Sequence, residues 1–376
     1  MKRSFVSVPL TLLLVVAVLS IIGCTATTPA PSPTPTPSPT PTTTPSTTPE
    51  PSNVITWTFA TLAGATPLQW SVEEPMGRFQ TMIKEATGGR LVLNTKLMLV
   101  PHEQMADAII DGRADIGTVW IPFVSGTYPL WDFGSLPFFW GSHPWEYEKA
   151  INDPQILSIM DQSFSDTGLV RLCYMQSSAV DVIFAKKAVS TVDDFQGLKT
   201  RVVGAIPTLS IKLLGGAPLV IPLGEVSNAM RLGTVDAVNA GVTFGFITTS
   251  MQDAATYINY WPIQPEFAAT ICVNQKSWDA LPADLQEIVR KVALEFQGQE
   301  YLAAYVHDRN EKILAPVSKL TIITPDKSEI DGAAEIVQPA IDEWIKIAGP
   351  KGQEIMPLLL QYANGPSAVV YKSTHK

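Results

Sequence analysis

Arg201 is the residue whose surroundings make the clearest chemical demand. Its neighbours Val202, Val203, Gly204, Ala205, Ile206 and Pro207 are apolar or small. A guanidinium carries five donors and no acceptor, so in such a setting it needs an anionic partner or leaves its donors poorly satisfied. Three arrangements fit the local spacing: snorkelling to water from an edge strand, pairing with Asp193 or Asp194, or holding the carboxylate of a bound ligand. No catalytic set competes for attention. The sequence has no glycine-rich phosphate loop, no Gly-x-Ser-x-Gly elbow and no Cys-x-x-Cys. His102, His143, His307 and His375 are scattered, and His102-Glu103 lacks the second histidine that a zinc protease needs one helical turn on. Asp193-Asp194 reads as a turn or helix-cap pair rather than a catalytic dyad. The inventory favours binding over turnover, with no enzyme activity, metal or cofactor expected.

A Gly-punctuated turn, Asp193-Asp194-Phe195-Gln196-Gly197, feeds the short strand that delivers Arg201 near its carboxyl end. Around it, helices and strands alternate as in an α/β protein. Residues 54–61 alternate apolar with polar as a first strand, Met76, Phe79, Ile83 and Ala86 recur at helical spacing, and Arg90 to Met98 is the next strand. Two stretches repeat one device. Met105 to Gly117 and Val226 to Val238 each read as a short helix, a glycine stop, two residues, an aspartate and a strand, with Asp115 and Asp236 at the same distance from Gly112 and Gly233. That repetition suggests two lobes of like construction. In open parallel sheets the ligand crevice lies outside the carboxyl ends of the strands. The first of these strands runs into Val119, Trp120 and Ile121, the second into Asn239, Ala240 and Gly241. The rings between Trp131 and Trp140 are expected in the core. Leu285, Ile288, Val289, Val292, Phe296, Tyr301, Leu302, Tyr305 and Ile313 predict a helix longer than 25 residues, and a last helix is expected from Ser328 to Gly349 with Ile336, Ile341, Trp344 and Ile345 buried.

The amino terminus reads as targeting sequence. Lys2 and Arg3 precede an apolar run from Phe5 to Ile22 that ends Ile21-Ile22-Gly23-Cys24. The run resembles a bacterial lipoprotein signal, which implies lipidation of Cys24 and a mature chain tethered outside the cytoplasmic membrane; a retained membrane anchor is the alternative. Thr25 to Ser52 is almost wholly Thr, Pro and Ser, a stalk that buries nothing and extends in polyproline-like conformations. The body from about residue 54 is long enough for two domains, and a formal charge of -9 without a basic cluster argues against nucleic acid. Cys173 and Cys272 fall in apolar strands and are expected as free core thiols, although an exported protein could pair them.

Leu136-Pro137-Phe138, the stretch Asp193 to Val203, Pro222-Leu223-Gly224-Glu225 with Ala229-Met230 and Val235-Asp236, and Ser277-Trp278-Asp279-Ala280-Leu281-Pro282 follow one another in an order that resembles the solute-binding proteins of TRAP transporters, the DctP-like family. The resemblance runs from about residue 55 to about residue 315. It implies a two-lobed periplasmic-binding-protein-like α/β fold with crossing hinge strands and a long helix spanning both lobes. Lobe I would hold about 54–177 and 267–305, lobe II about 178–266 and 306–376. It also implies an organic acid as ligand, membrane permease subunits as partner, and the carboxylate salt bridge at Arg201. Many relatives carry a second arginine where this chain reads Gln176-Ser177-Ser178-Ala179-Val180-Asp181, and a glutamate where it reads Ala237-Val238-Asn239-Ala240. Those departures point to a less polar cleft and a monocarboxylate with an apolar body. Candidate ligand contacts are Arg201, Asn239 and Gln176, with Trp120, Phe123, Phe244 and Trp261 as walls. A receptor module for a membrane sensor and a lipoprotein enzyme on the same fold are the alternative functions.

Overall fold

The computed structural model describes residues 53–61, 73–97, 99–140, 145–176, 181–241, 245, 249–265, 268–299 and 319–375. Its strands are β1 (Ile55–Thr61), β2 (Leu91–Leu97), β3 (Ile116–Trp120), β4 (Leu169–Gln176), β5 (Asp181–Ala185), β6 (Lys199–Arg201), β7 (Ala217–Leu219), β8 (Ala237–Gly241), β9 (Tyr257–Asn259), β10 (Ala268–Asn274) and β11 (Thr321–Ile323). They form two mixed sheets flanked by helices, ordered β2-β1-β3-β10-β4 and β11-β9-β5-β8-β6-β7. The first sheet is parallel apart from β10, which runs antiparallel to β3 and β4. In the second only β5 runs against its neighbours, β8 and β9.

That topology turns two edges toward one another. Chain direction leaves the first sheet at Gln176, the carboxyl end of β4, and enters the second at Asp181, beside Gly241 at the carboxyl end of β8. The return into β10 again begins at a carboxyl edge, where Ala268 pairs with Gln176. Both crossings join the edges at which parallel strands end, the side where open α/β sheets take ligands.

The repeated glycine-aspartate device has one physical job in both sheets. Gly112 and Gly233 take left-handed φ values of 75° and 77° that end their helices. Three residues later the aspartate straps the neighbouring parallel strand. Thr58 N donates to Asp115 Oδ2 at 2.8 Å, while Asp115 N returns a bond to Thr58 O at 3.0 Å. Lys199 N donates to Asp236 Oδ2 at 3.2 Å, and Asp236 N donates to Lys199 O at 2.8 Å. The second strap fixes the start of β6, and hence where its last residue, Arg201, emerges.

The aromatic passage is core, as its composition indicates: Trp131, Phe133, Phe138, Phe139 and Trp140 are all buried. Leu136 and Phe139 join the cluster that lies against the first sheet, whereas Phe138 joins the cluster under the second. Phe138 reaches it through a left-handed φ of 53°, a conformation that costs about 1–3 kcal/mol and needs support from its surroundings. Phe138 N donates to Pro262 O, and Ser367 N and Gly365 N donate to the carbonyls of Phe138 and Phe139.

Cys173 and Cys272 are free and buried. They sit on adjacent strands, yet Cys173 packs in the cluster on one face of the first sheet and Cys272 in that on the other. Side chains that point through opposite faces cannot form a disulfide.

The expectation for the last helix changes. Lys327–Ile336 ends at Val337, and a second helix, Gln338–Tyr362, restarts with proline in its first turn and passes through a kink at Gly349 (φ 69°). Gly349 is therefore a bend and not the stop, and a further helix, Pro366–Thr374, follows. The break at Val337 shifts the helical phase, which leaves Ile336 41 % exposed while Ile341 and Trp344 are buried. Residues 283–299 are helical, with Leu285, Val289, Val292 and Phe296 packed against the first sheet. The continuation through Tyr301, Leu302, Tyr305 and Ile313 lies outside the described residues, as do the amino-terminal signal, Cys24 and the stalk. Among the described residues, no helix is long and apolar enough to cross a membrane.

Candidate functional site

Arg201 closes β6, an internal strand between β8 and β7, and is only 4 % exposed. The edge-strand, snorkelling arrangement is thus excluded. Its Nε donates a long bond, 3.5 Å, to Ile221 O. Asp194 is committed elsewhere: its Oδ2 accepts from Ser190 N at 2.9 Å and Thr191 N at 3.0 Å, the capping role its spacing indicates. Burial works against the Asp194 anion, but the donors of Thr191 and Ser190 hold its carboxyl below the ordinary value.

The residue after Arg201's strand partner explains Asn239. Arg201 is in register with Val238, so alternation places Asn239 on the opposite face of the sheet. Asn239 is 2 % exposed and its Nδ2 donates to Val182 O at 3.4 Å. Trp261 has a similar fate. It is fully buried in the core of the second sheet, with Nε1 donating to Val189 O at 2.7 Å and its ring edge-on to Phe195 and Phe138. Trp261 is a core residue and not a cleft wall, and Asn239 is buried on the face of the sheet opposite Arg201.

Trp120 and Phe123 lie at the carboxyl edge of the first sheet. Trp120 ends β3, and Phe123 lies one turn on in the helix Ile121–Val124. Phe123 packs against the imidazole of His102, with ring centroids 4.8 Å apart. His102 follows β2 and is 9 % exposed. Burial holds its pKa below the ordinary value; adjacent Glu103 acts to raise it, and Arg201 lowers it further.

Sequence reasoning set His102 aside as one of several scattered histidines. The signal that could have found it is the carboxyl-edge rule, applied to β3 and β8 but not to the loop that follows β2. Gln176 ends β4 in pairing with Ala268, and its side chain, like Phe244, lies outside the described residues. Among the described residues no group of histidine, cysteine and acidic side chains could hold a metal ion. A surface hollow lined by Lys186, Lys187, Gln196, Gly197, Leu198 and Asp236 opens at the amino end of β6, away from Arg201. Lys186 and Lys187 are spent there on the carbonyls of Arg231 and Asp194.

A second junction between the lobes lies behind Arg201. Gly204, with φ 95°, caps the helix Ala205–Leu213, and Ala205 N donates to Ser125 Oγ at 3.2 Å. A Cβ on Gly204 would come within 3.5 Å of Asp132 Oδ2. Asp132 is buried and accepts from Ser135 Oγ at 2.6 Å. Burial pushes its carboxyl up to about 7, against the hydroxyls of Ser135 and Ser125.

Residues 65–347 match the family described as bacterial extracellular solute-binding protein, family 7. Over 297 residues the chain is 25 % identical to the monocarboxylate 2-oxoacid-binding periplasmic protein all3028 of Nostoc sp., covering 74 % of this chain and 79 % of that protein. The fold is similar to that of DctP7, a Bordetella pertussis extracytoplasmic solute receptor binding pyroglutamic acid, with TM-score 0.73 and 20 % identity over 81 % of this chain and 99 % of the other. It is also similar to a TRAP periplasmic solute binding protein of Sulfitobacter sp. solved with bound β-D-galacturonate, with TM-score 0.70 and 20 % identity over the same shares.

Proposed function

The chain belongs to family 7 of the bacterial extracellular solute-binding proteins, and from that premise we propose that it captures an organic carboxylate at Arg201 and delivers it to the membrane subunits of a TRAP-type transporter. The observation that carries this reading is the position of Arg201: a buried cation at the carboxyl end of an internal strand, at the edge of the second sheet where the chain enters from the first. Relatives named for a 2-oxoacid or solved with pyroglutamic acid or a uronate support an acid as the ligand class.

Within that class we favour a monocarboxylate with an apolar body. One charge-assisted hydrogen bond contributes about 1.5–3 kcal/mol, whereas micromolar affinity needs about 8 kcal/mol. The remaining ~5 kcal/mol corresponds to burial of roughly 200 Å² of apolar ligand surface, before the costs of association and closure. Phe123, half-buried at the carboxyl edge of the first sheet, is the described residue suited to contribute to it, whereas Trp120 is 6 % exposed and packs in the core of that sheet. Ligand binding selects the closed arrangement of the lobes because the carboxylate on one lobe meets groups of the other. The sequence of residues 1–24 supports a lipid anchor at Cys24, with the body held clear of the membrane by the stalk.

Thermal-shift screening tests the ligand class. Carboxylates of the right shape are expected to raise the melting temperature, and their primary amides are not, since binding at ~100 times Kd adds about 2.7 kcal/mol of stability. Equal shifts from acids and amides would contradict recognition through Arg201. Native mass spectrometry of protein purified from its source cells would identify the co-purifying acid.

A further inference from the structure

A chain of buried polar groups runs from the crossing between β9 and β10 to the turn that follows Arg201. Gln264, in that crossing, donates through Nε2 to Ser135 Oγ at 3.1 Å, and Ser135 Oγ donates to Asp132 Oδ1 at 2.6 Å. At the other end Ala205 N, which opens the helix after Arg201, donates to Ser125 Oγ at 3.2 Å. Gln264, Ser135, Asp132 and Ser125 are all buried. Between the two halves stands Asp132 Oδ2, sealed from solvent without a hydrogen-bond partner. It lies against the turn itself, since a Cβ added to Gly204 would meet it at 3.5 Å.

The hydrogens available leave Oδ2 one role. Ser125 has a single hydroxyl hydrogen, which goes to Pro122 O at 2.9 Å. Toward Asp132 the Ser125 oxygen can then only accept, with its other lone pair taken by Ala205 N. An ionised carboxylate also only accepts, whereas a protonated carboxyl supplies the missing donor. We propose that Asp132 is a positioning residue, which in its protonated form donates from Oδ2 to Ser125 Oγ and so fixes the turn, residues 202–204, that holds Arg201 for the ligand. Its effect on binding rests on the reading of Arg201 as carboxylate anchor; the ordering of the turn does not. Ionisation leaves two acceptors for one hydrogen. Ser125 either keeps it on Pro122 O or turns it to the carboxylate, and one buried oxygen goes unsatisfied in either case.

Burial holds the Asp132 carboxyl up to about 7, so the proton is bound below that value and lost above it. The hydroxyls of Ser135 and Ser125 are the side chains that act on it. Charged groups on the helices packed against residues 129–135 all reach solvent: Lys212 in the last turn of Ala205–Leu213, and Asp342, Glu343, Lys346, Lys351 and Glu354 of Gln338–Tyr362. The helix Ile121–Val124 carries no charge, and in β10 the buried Cys272 thiol is pushed up to about 12.

Hydrogen exchange of the mature chain reads the turn directly, with rates corrected for the intrinsic effect of pH and β1 as reference. In unaltered protein the amides of residues 202–208 are expected to lose about fivefold in protection relative to β1 between about pH 5 and about pH 9, the worth of one neutral hydrogen bond. Asp132→Asn, whose amide keeps a donor without a charge, is expected to hold the protection at both pH values, and Asp132→Ala and Ser125→Ala to lack it at both. Protection that ignores pH in unaltered protein, a loss no larger at 202–208 than in β1, or an Asp132→Asn variant as pH-sensitive as unaltered protein would overturn the proposal. If Asp132→Ala does not fold, unaltered protein and Asp132→Asn decide it. Calorimetry with phenylacetate and benzoate separates this from the anchor reading. Affinity should fall about fivefold over the same range in unaltered protein and not in Asp132→Asn, whereas a contribution from His102 would persist in that variant. Affinity that ignores pH while the turn follows it would overturn the positioning role. Failure of both acids to bind counts against the carboxylate site and leaves exchange to decide on Asp132.

Discussion

Asp132 shows how one side chain couples the junction between lobes to pH. Its carboxyl titrates near 3.8 when unfolded and about 7 in place, so between those values the native state holds a proton that the unfolded state has released. Stability therefore falls as pH rises from about 4 to about 7, and the loss is complete above the folded value. Asp132→Asn is expected to be more stable than the unaltered protein in urea at pH 8, with the difference shrinking toward pH 5; a difference independent of pH would contradict it. Sequence exposed the charge among the rings of Trp131 and Phe133 but gave no sign of its depth, because Ser125 and Gly204 reach it only through the tertiary fold. Arg201 was more legible, since its apolar neighbours state the problem locally. Asn239 and Trp261 show what local pattern leaves open. Asn239 lies one position from the register partner of Arg201, and strand alternation sends it to the other face; Trp261 met the composition of a wall but finds its hydrogen bond in the core.

Between elements, the decisive features are close approaches. Gly365 starts the carboxyl-terminal helix so near the left-handed turn at Phe138 that an added Cβ would stand 2.3 Å from Phe138 O and 2.6 Å from Phe139 O. These are backbone atoms and cannot step aside. Gly365→Ala is expected to cost about 1–3 kcal/mol or more, read as a lower urea midpoint at unchanged slope, and an unaltered midpoint would show that the clamp is not tight. The strap on β6 is open to a similar test. Asp236→Ala removes the carboxylate that receives Lys199 N and faces Lys199 Nζ at 3.7 Å, and hydrogen exchange at Lys199 and Thr200 should quicken while exchange in β1 does not; equal protection in both strands would refute the strap. That device was visible in the sequence as a repeated glycine-to-aspartate interval. The helix after Leu281 was legible as far as residue 299, and the rest of it lies outside the described residues. Gln338–Tyr362 packs in one cluster with Ile206, just after Arg201, and with the Trp131 passage, a placement that no pattern in the sequence announced. Periodicity locates a helix but does not say what it lies across.

At the scale of the molecule, two sheets with facing carboxyl edges make a clamp, and the chain crosses between them where a hinge is needed. Crossing topology was not deducible from local pattern, because it depends on which sheet each strand joins. The proposal of a lipid anchor at Cys24 predicts a second molecular property. Mass spectrometry of the membrane fraction should find the mature chain beginning at a lipid-modified Cys24, and Cys24→Ser should release it; an unmodified chain that keeps Met1 would contradict the anchor. The central claim concerns the clamp itself, that Arg201 holds the ligand carboxylate. Isothermal titration of the tightest-binding acid against unaltered protein, Arg201→Lys and Arg201→Ala tests it most directly. Truncating the buried partner of a charge pair costs about 2–5 kcal/mol, so Arg201→Ala should bind at least ~30-fold more weakly, with Arg201→Lys between. Unchanged affinity in Arg201→Ala, in a variant whose melting curve shows it folded, would contradict the account.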